Sequence, residues 1–198
     1  MRGALYGIAT EGWPFVIALA VIAAWMLHAG SAYAAIPLVG AVMAVLKFRD
    51  PQREVPADPH GIVSPVDGQL IEIRPVDGGL QLCFRIAPLG AYLLRSPAEG
   101  KVLESARNDG QHGFRIHTDE GQEVELRLHS ASWLPAAASV GYGERVGQGK
   151  RCGALRGAHL AEVWLPPDAV PQVRIGQRVL AGETVIAHFA GGKDVHSA

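Results

Sequence analysis

The globular part of the chain begins with residues 64–72, SPVDGQLIE, and a similar stretch, SPAEGKVLE, follows at residues 96–104. Each stretch places a proline turn and a glycine directly before a run of strand-like residues. A second similar pair, residues 140–154 and 173–187, carries two glycines six positions apart around an apolar residue. This spacing suits a tight β-hairpin corner, because glycine tolerates positive φ. Two pairs are too few for a solenoid, so they predict paired β-units in one compact, barrel-like domain.

Five short runs lie between these turns and predict β-strands; the first three mostly alternate with a period of two, and the last two are denser in apolar residues. These runs cover residues 70–74, 114–117, 124–128, 161–165 and 184–189. No stretch after residue 60 has a convincing helical period. The fold class is therefore predicted to be mainly β, with glycine-cornered hairpins.

The N-terminal part has a different character, because residues 12–46 contain no Asp, Glu, Lys or Arg. Interruptions near Gly30 predict two helices, at roughly residues 14–27 and 32–46, joined by a tight turn. Each is shorter than the ~20 residues that span a bilayer comfortably. A shallow hairpin, insertion into one leaflet and a span with local thinning all remain open.

We expect residues 1–48 to form this membrane hairpin and residues 49–198 to form the β domain. Lys47, Arg49 and Arg53 follow the second helix, which favours a β domain on the cytoplasmic side. A signal peptide cleaved after the Ala32-Tyr33-Ala34 motif is the alternative. It would leave a second apolar stretch unexplained at the mature N-terminus.

The composition excludes several classes of protein. With 198 residues, 48% hydrophobic and 19% charged, the chain is not disordered. A net charge of −1 without a basic stripe argues against a nucleic-acid partner. Cys83 and Cys152 are expected to be reduced, with a single bridge as the alternative. No His, Cys, Asp or Glu group has recognised metal-ligand spacing, so no metal is expected.

The order of these features resembles the short bacterial type of phosphatidylserine decarboxylase. The resemblance rests on six segments of this sequence. They are EGWPF at residues 11–15; FRDP at 48–51; VSPVDG at 63–68, similar to the family's SPADG; LGAYLLRSP at 89–97, in the place of LNVHVNRAP; the segment at 153–166, in the place of GMIRFGSRVDVYLP; and GQRVLAGET at 176–184.

The resemblance implies the chemistry of that family. Its enzymes make their own cofactor from a Gly-Ser bond, and the resulting pyruvoyl group is the electron sink when the substrate loses CO₂. It also implies a bacterial-type cell membrane as the location, and a membrane phospholipid with a phosphatidylserine-like head group as the partner.

Two positions depart from the family pattern. Ala158, after Gly157, stands at the place of the self-cleaving serine, and alanine has no oxygen for the attack. Tyr92 stands at the place of the family's general acid/base histidine, and a phenol with a pKa near ~10 is a poor proton shuttle at neutral pH. A tyrosine that packs its ring is the simpler interpretation. His159, beside Ala158, is a candidate substitute base.

Two other positions follow the family pattern. Asp67 matches the aspartate that helps to activate the serine, and capping of its own turn is the alternative role. Arg95 also matches the family and is a candidate for binding a phosphate or carboxylate head group. An exposed strand arginine is its alternative interpretation.

Two hypotheses of function follow from these positions. The first is a membrane-anchored family member without a pyruvoyl cofactor, which binds lipid or acts as a partner in a homo-oligomer or with an active homologue. The second is an active decarboxylase with an unconventional site, which converts phosphatidylserine to phosphatidylethanolamine and CO₂. Glu104-Ser105 is a conceivable cleavage site for it, although this pair lies within a predicted strand. A trapped Ser-to-Ala form is disfavoured, because it would have kept the histidine at position 92.

Overall fold

Gly68 and Gly100 occupy equivalent points in the two similar stretches, and the computed structural model shows why neither has a side chain. A Cβ on Gly68 would collide with the carbonyl oxygen of Arg85, and a Cβ on Gly100 with the carbonyl oxygen of His117. Each glycine therefore lets a strand begin directly against the backbone of its neighbour.

The structure describes residues 4–5, 7–58, 60–108, 111–130 and 136–189. Helices α1 (Trp13–His28) and α2 (Ala35–Lys47), joined by a 3₁₀ turn (Ala32–Ala34), precede a mainly antiparallel β-structure. The strands are β1 (Ala4–Leu5), β2 (Ile8–Ala9), β3 (Gly61–Val63), β4 (Gly68–Val76), β5 (Gly79–Ile86), β6 (Leu93–Arg95), β7 (Gly100–Asn108), β8 (Gln111–His117), β9 (Glu123–Ser130), β10 (Ala137–Ala138), β11 (Arg145–Val146), β12 (Arg151–Ala154), β13 (Ala158–Leu165), β14 (Val170–Pro171), β15 (Arg178–Val179) and β16 (Val185–His188).

One large antiparallel sheet has the strand order β11-β7-β8-β9-β13-β5-β4-β15. Two three-stranded sheets have the orders β14-β16-β3 and β10-β12-β6. The mainly β fold is thereby confirmed. The expected barrel-like closure is not present in the part of the chain that the structure describes, because the large sheet ends in β11 and β15, two-residue strands that each pair on one side.

The order of the large sheet is symmetric because two equivalent units build it. The first unit comprises residues 61–86 and 158–188, and the second comprises residues 93–154. Strands β3, β4, β5, β13, β14, β15 and β16 correspond in turn to β6, β7, β8, β9, β10, β11 and β12. The central pair β9–β13 joins the units edge to edge.

Reciprocal hydrogen bonds also relate the two units. Val63 N donates to Pro97 O at 2.9 Å, and Arg95 N donates to Pro65 O at 3.0 Å. Each donor in one unit thus has its counterpart in the other, 32 positions along the chain. The similarity seen in the sequence is therefore a similarity of backbone structure.

Ser64 and Ser96 show the same equivalence in their side chains. Ser64 Oγ donates to Val66 O at 2.7 Å, and Ser96 Oγ donates to Ala98 O at 2.8 Å. Both serines are fully buried. Each hydroxyl fixes the proline turn that leads into the following strand.

A continuous hydrophobic cluster joins the sheets. Phe84 and Phe114 contribute to it from the large sheet, Ile62 and Ile186 from one small sheet, and Cys152 from the other. All five side chains are almost completely buried. The units therefore share one core.

The two helices pack against each other, as predicted. A Cβ on Gly40 would lie 3.5 Å from Leu19 Cδ1, so the helices approach closely there. In the described residues, neither helix is long and apolar enough to cross a membrane. Large apolar side chains nevertheless face outward along both helices; they are Phe15, Ile17, Val21, Ile22, Trp25, Leu27, Ile36, Leu38, Val39, Val42, Met43 and Leu46.

We expect Ser64→Ala and Ser96→Ala each to lower the free energy of unfolding by about 1–2 kcal/mol, because each removes a hydrogen bond from a buried carbonyl. Urea unfolding followed by circular dichroism measures both. Ser139→Ala, at an exposed position, is the matched control and should change stability by less than about 0.5 kcal/mol. Clearly unequal losses for the two buried serines would contradict the equivalence of the units.

Candidate functional site

The chain passes between the two units twice, and the two passages are neighbours. They comprise residues 87–92 and 155–157, which we call the crossover region. Leu155 N donates to Tyr92 O at 2.9 Å. The crossover region thus pairs Tyr92 with the segment that leads into the Gly157-Ala158 bond.

The Tyr92 side chain connects the crossover region to the base of the helical hairpin, where Glu11 precedes α1 and Phe48 follows α2. Its hydroxyl donates to Glu11 Oε2 at 2.6 Å, and its ring lies 4.8 Å from that of Phe48, centroid to centroid. Burial raises the pKa of Tyr92, and the bond to Glu11 raises it further. The ring packing predicted for Tyr92 is confirmed, and its phenol stays protonated at neutral pH.

Arg156, in the second passage of the crossover region, lies beside the same carboxylate. Its Nη2 lies 3.5 Å from Glu11 Oε1. The backbone of Arg156 has a φ of +26°, in a region that residues other than glycine rarely adopt. The crossover region therefore holds a strained residue beside the bond where the resemblance puts self-cleavage.

Ala158 begins β13, directly after the turn. Its N–H donates to Leu155 O at 2.6 Å, and its side chain packs against the hydrophobic cluster. His159 is exposed at an irregularity in the pairing of β13 with β9. Ser130 lies opposite Ala158 in that pair, and its hydroxyl accepts from Ala136 N at 3.1 Å.

Asp67 is buried and makes three hydrogen bonds to distant parts of the chain. Its Oδ1 accepts from Ala181 N, and its Oδ2 accepts from Ala91 N and Arg53 Nη2, all at 2.8 Å. None of these three donors belongs to the turn of Asp67 itself, so the alternative interpretation as a cap of its own turn does not account for them. The equivalent residue of the second unit, Glu99, is exposed.

Arg95 is buried, so its interpretation as an exposed strand residue is wrong. Its Nη1 donates to Gly149 O and its Nη2 to Pro51 O, both at 3.1 Å, and Nη2 lies 3.4 Å from Asp50 Oδ1. Asp50 is fully buried and also pairs with Arg151 at 2.5 Å. Burial lowers the pKa of Arg95, with the Asp50 carboxylate opposing the shift. These contacts turn the guanidinium inward, away from a head group in solvent.

The remaining candidates for chemistry are weak in the described residues. No group of three or more His, Cys, Asp or Glu side chains there could hold a metal ion. Cys83 and Cys152 are free, and burial raises the pKa of both thiols. A neutral buried thiol is a poor nucleophile.

Comparison with known proteins decides the family. The sequence profile described as phosphatidylserine decarboxylase matches residues 41–128. A phosphatidylserine decarboxylase proenzyme of Symbiobacterium thermophilum is 34% identical, covering 92% of this chain and 95% of its own length. This chain belongs to the phosphatidylserine decarboxylase family. Proenzymes of Pelobacter propionicus (31% identical, 92% and 96% covered) and Cupriavidus metallidurans (29%, 91% and 94%) are similar over the same extent.

The side chains at the position where the resemblance puts self-cleavage do not fit the pyruvoyl group of this family, which is made from a serine. When the family segment GMIRFGSRVDVYLP is placed on residues 153–166 without a gap, its serine falls on His159. When the glycine before that serine is instead matched to Gly157, the serine falls on Ala158. Neither residue has a side-chain oxygen. The Gly-Ser pair of this sequence, Gly30-Ser31, lies in the turn between the helices, where Ser31 Oγ accepts from Tyr33 N.

Sequence reasoning missed Glu11, Asp50, Arg53 and Arg156 as contributors to this region. Glu11 and Asp50 do fall in the EGWPF and FRDP segments that carry the resemblance. These two segments lie at the two ends of the apolar run. Their match to the family was the signal in the sequence that the base of the hairpin contacts the site. Their partners, up to 145 positions away, have no local signature.

We expect Asp67→Asn to lower the free energy of unfolding by about 3 kcal/mol, because it removes the buried charge partner of Arg53 and leaves only the half-exposed carboxylate of Glu183, 3.8 Å away. For a chain of this size the Tm should fall by roughly 6–12 °C. Thermal unfolding followed by circular dichroism measures the change. Asp77→Asn, at an exposed turn, is the control, and equal Tm values for the two variants would contradict this role of Asp67.

Proposed function

We propose that this chain is a membrane-anchored member of the phosphatidylserine decarboxylase family that acts in phospholipid metabolism by binding anionic phospholipid, without pyruvoyl-dependent catalysis. Its place is a bacterial-type cell membrane, with the β domain on the cytoplasmic side. The proposal rests above all on the absence of a side-chain oxygen at Ala158 and His159, next to the turn of the crossover region.

The environment of Tyr92 supports the same proposal. A general acid/base group must exchange a proton with substrate near neutral pH. The Tyr92 hydroxyl already donates to Glu11, and the pKa of the phenol is raised. Restoring a serine at the turn would therefore leave the chain without the proton shuttle that the family places here.

The outward apolar side chains of α1 and α2 support a membrane anchor. Trp25 and Ile36 are each 70% exposed, and a surface of this kind on a soluble monomer is unusual. Helices of 16 and 13 residues suit insertion into one leaflet better than a full span. Of the basic residues that predicted a cytoplasmic β domain, Arg53 is buried against Asp67, so Lys47 and Arg49 carry this inference.

The same apolar surface suits assembly within the membrane. We propose homo-oligomerisation, or association with an active homologue, as the accompanying role.

The second candidate is an active decarboxylase with an unconventional site. It is favoured by the similarity to proenzymes over more than nine-tenths of the chain, and by the Ser130 hydroxyl opposite Ala158. This candidate requires a carbonyl or other electron sink from another source. The mass of the mature protein separates the two candidates.

We expect the chain purified from membranes to have one species at 21.0 kDa and to release no CO₂ from phosphatidylserine, with or without hydroxylamine. Ala158→Ser and His159→Ser should each remain uncleaved, because Tyr92 cannot accept a proton. Intact-mass spectrometry and CO₂ release measure these outcomes. Two fragments that sum to the chain, or hydroxylamine-sensitive CO₂ release, would favour the second candidate.

We expect Trp25→Ser and Ile36→Ser each to weaken binding to phosphatidylcholine vesicles roughly tenfold, because burying a large apolar side chain contributes about 1.5–3 kcal/mol. Vesicle flotation measures the bound fraction. Tyr142→Ser is the matched control, since Tyr142 is 81% exposed but lies on the β domain. Unchanged flotation of the two helix variants would overturn the membrane anchor.

A further inference from the structure

The Glu11 carboxylate is held as a bound ligand would be. Tyr92 donates to one of its oxygens at 2.6 Å, and the Arg156 guanidinium lies 3.5 Å from the other. A phenol and a guanidinium that face the two oxygens of one carboxylate form a recognisable carboxylate site. Both of these groups belong to the crossover region, whereas Glu11 belongs to the base of the hairpin.

The site is reachable without unfolding of the β domain. The side chains of Glu11 and Arg156 are 27% and 32% exposed, so solvent reaches the pair. Tyr92 is buried and fixed by its ring contact with Phe48 and by two backbone hydrogen bonds, from its N–H to Arg49 O and from Leu155 N to its carbonyl. If Glu11 moves away, a fixed donor and a solvent-facing cation remain.

The backbone also favours a binding role for Arg156. Its φ of +26° places the side chain at the turn at some energetic cost, and such strained residues concentrate at ligand sites.

We propose that Tyr92 and Arg156 form a binding site for an external carboxylate, such as that of a serine head group, and that Glu11 occupies this site in the free protein. For a lipid ligand this rests on the membrane role proposed above. Exchange of one carboxylate for another leaves neither donor unpaired, so it is nearly balanced in charge. A protein held at the bilayer surface meets lipid head groups at high effective concentration, which favours the exchange.

Glu11→Gln in the full chain, in neutral detergent, tests this proposal. We expect the affinity for glycerophosphoserine to rise about three- to tenfold, because the competing internal carboxylate has lost its charge. Glycerophosphoethanolamine lacks the carboxylate and should show no gain. Isothermal titration calorimetry measures both ligands, and Glu123→Gln, on the surface of the large sheet, is the matched control.

A double-mutant cycle shows whether the gain acts through the site. Arg156→Gln should weaken glycerophosphoserine binding, and the gain from Glu11→Gln should vanish in the Arg156→Gln background. Tyr92→Phe should weaken binding in the same way, and Arg174→Gln, an exposed substitution of the same kind, should not. An equal gain for both ligands, no gain, or a gain that persists with Arg156→Gln would overturn the proposal.

Vesicles distinguish a lipid from a soluble source of the carboxylate. With a lipid source, Glu11→Gln should increase flotation with phosphatidylserine vesicles but not with phosphatidylglycerol vesicles. A gain with glycerophosphoserine alone assigns a soluble carboxylate. Loss of all vesicle binding with this gain intact would overturn the membrane anchor only, and normal vesicle binding without any carboxylate gain would overturn this site only.

Discussion

The Asp67 carboxylate holds together parts of the chain that no sheet connects. It receives N–H groups from Ala91 in the crossover region and Ala181 before β16, and the guanidinium of Arg53 in the segment after the hairpin. A buried carboxylate is stable in a protein interior when donors surround it in this way. The position of the crossover region, and thus of Tyr92, depends on these three contacts.

A second buried ion pair extends the same principle to the hairpin. Asp50, three residues before Arg53, is enclosed between Arg95 and Arg151. The Asp50 carboxylate therefore ties the segment that leaves α2 to the β domain. Glu11 and Phe48 reach Tyr92 because this segment cannot move away from the crossover region. The base of the helical hairpin is thus fixed to the site by these contacts, although the sequence suggests a domain boundary between them.

Features encoded by a few adjacent residues could be predicted from the sequence. The charge-free run predicted two helices, and the paired SPxxG stretches predicted two equivalent β-units. The same similarity hid a difference, because Asp67 is buried and its counterpart Glu99 is exposed. Asp67 meets partners from three distant parts of the chain, at Arg53, Ala91 and Ala181, and such long-range contacts leave no local signature in the sequence. Arg95 was misread for the same reason, since its acidic partner lies 45 positions away.

The first unit is built from two separate stretches of the chain, with the second unit between them. Residues 158–188 supply β13 to the middle of the large sheet and β16 to the centre of a small one. A break in the backbone at residues 157–158 would therefore leave two fragments with interleaved strands and a common hydrophobic core. The shorter fragment could leave only by stripping β13 from neighbours on both sides. In this topology, the two fragments would stay together without the peptide bond between residues 157 and 158.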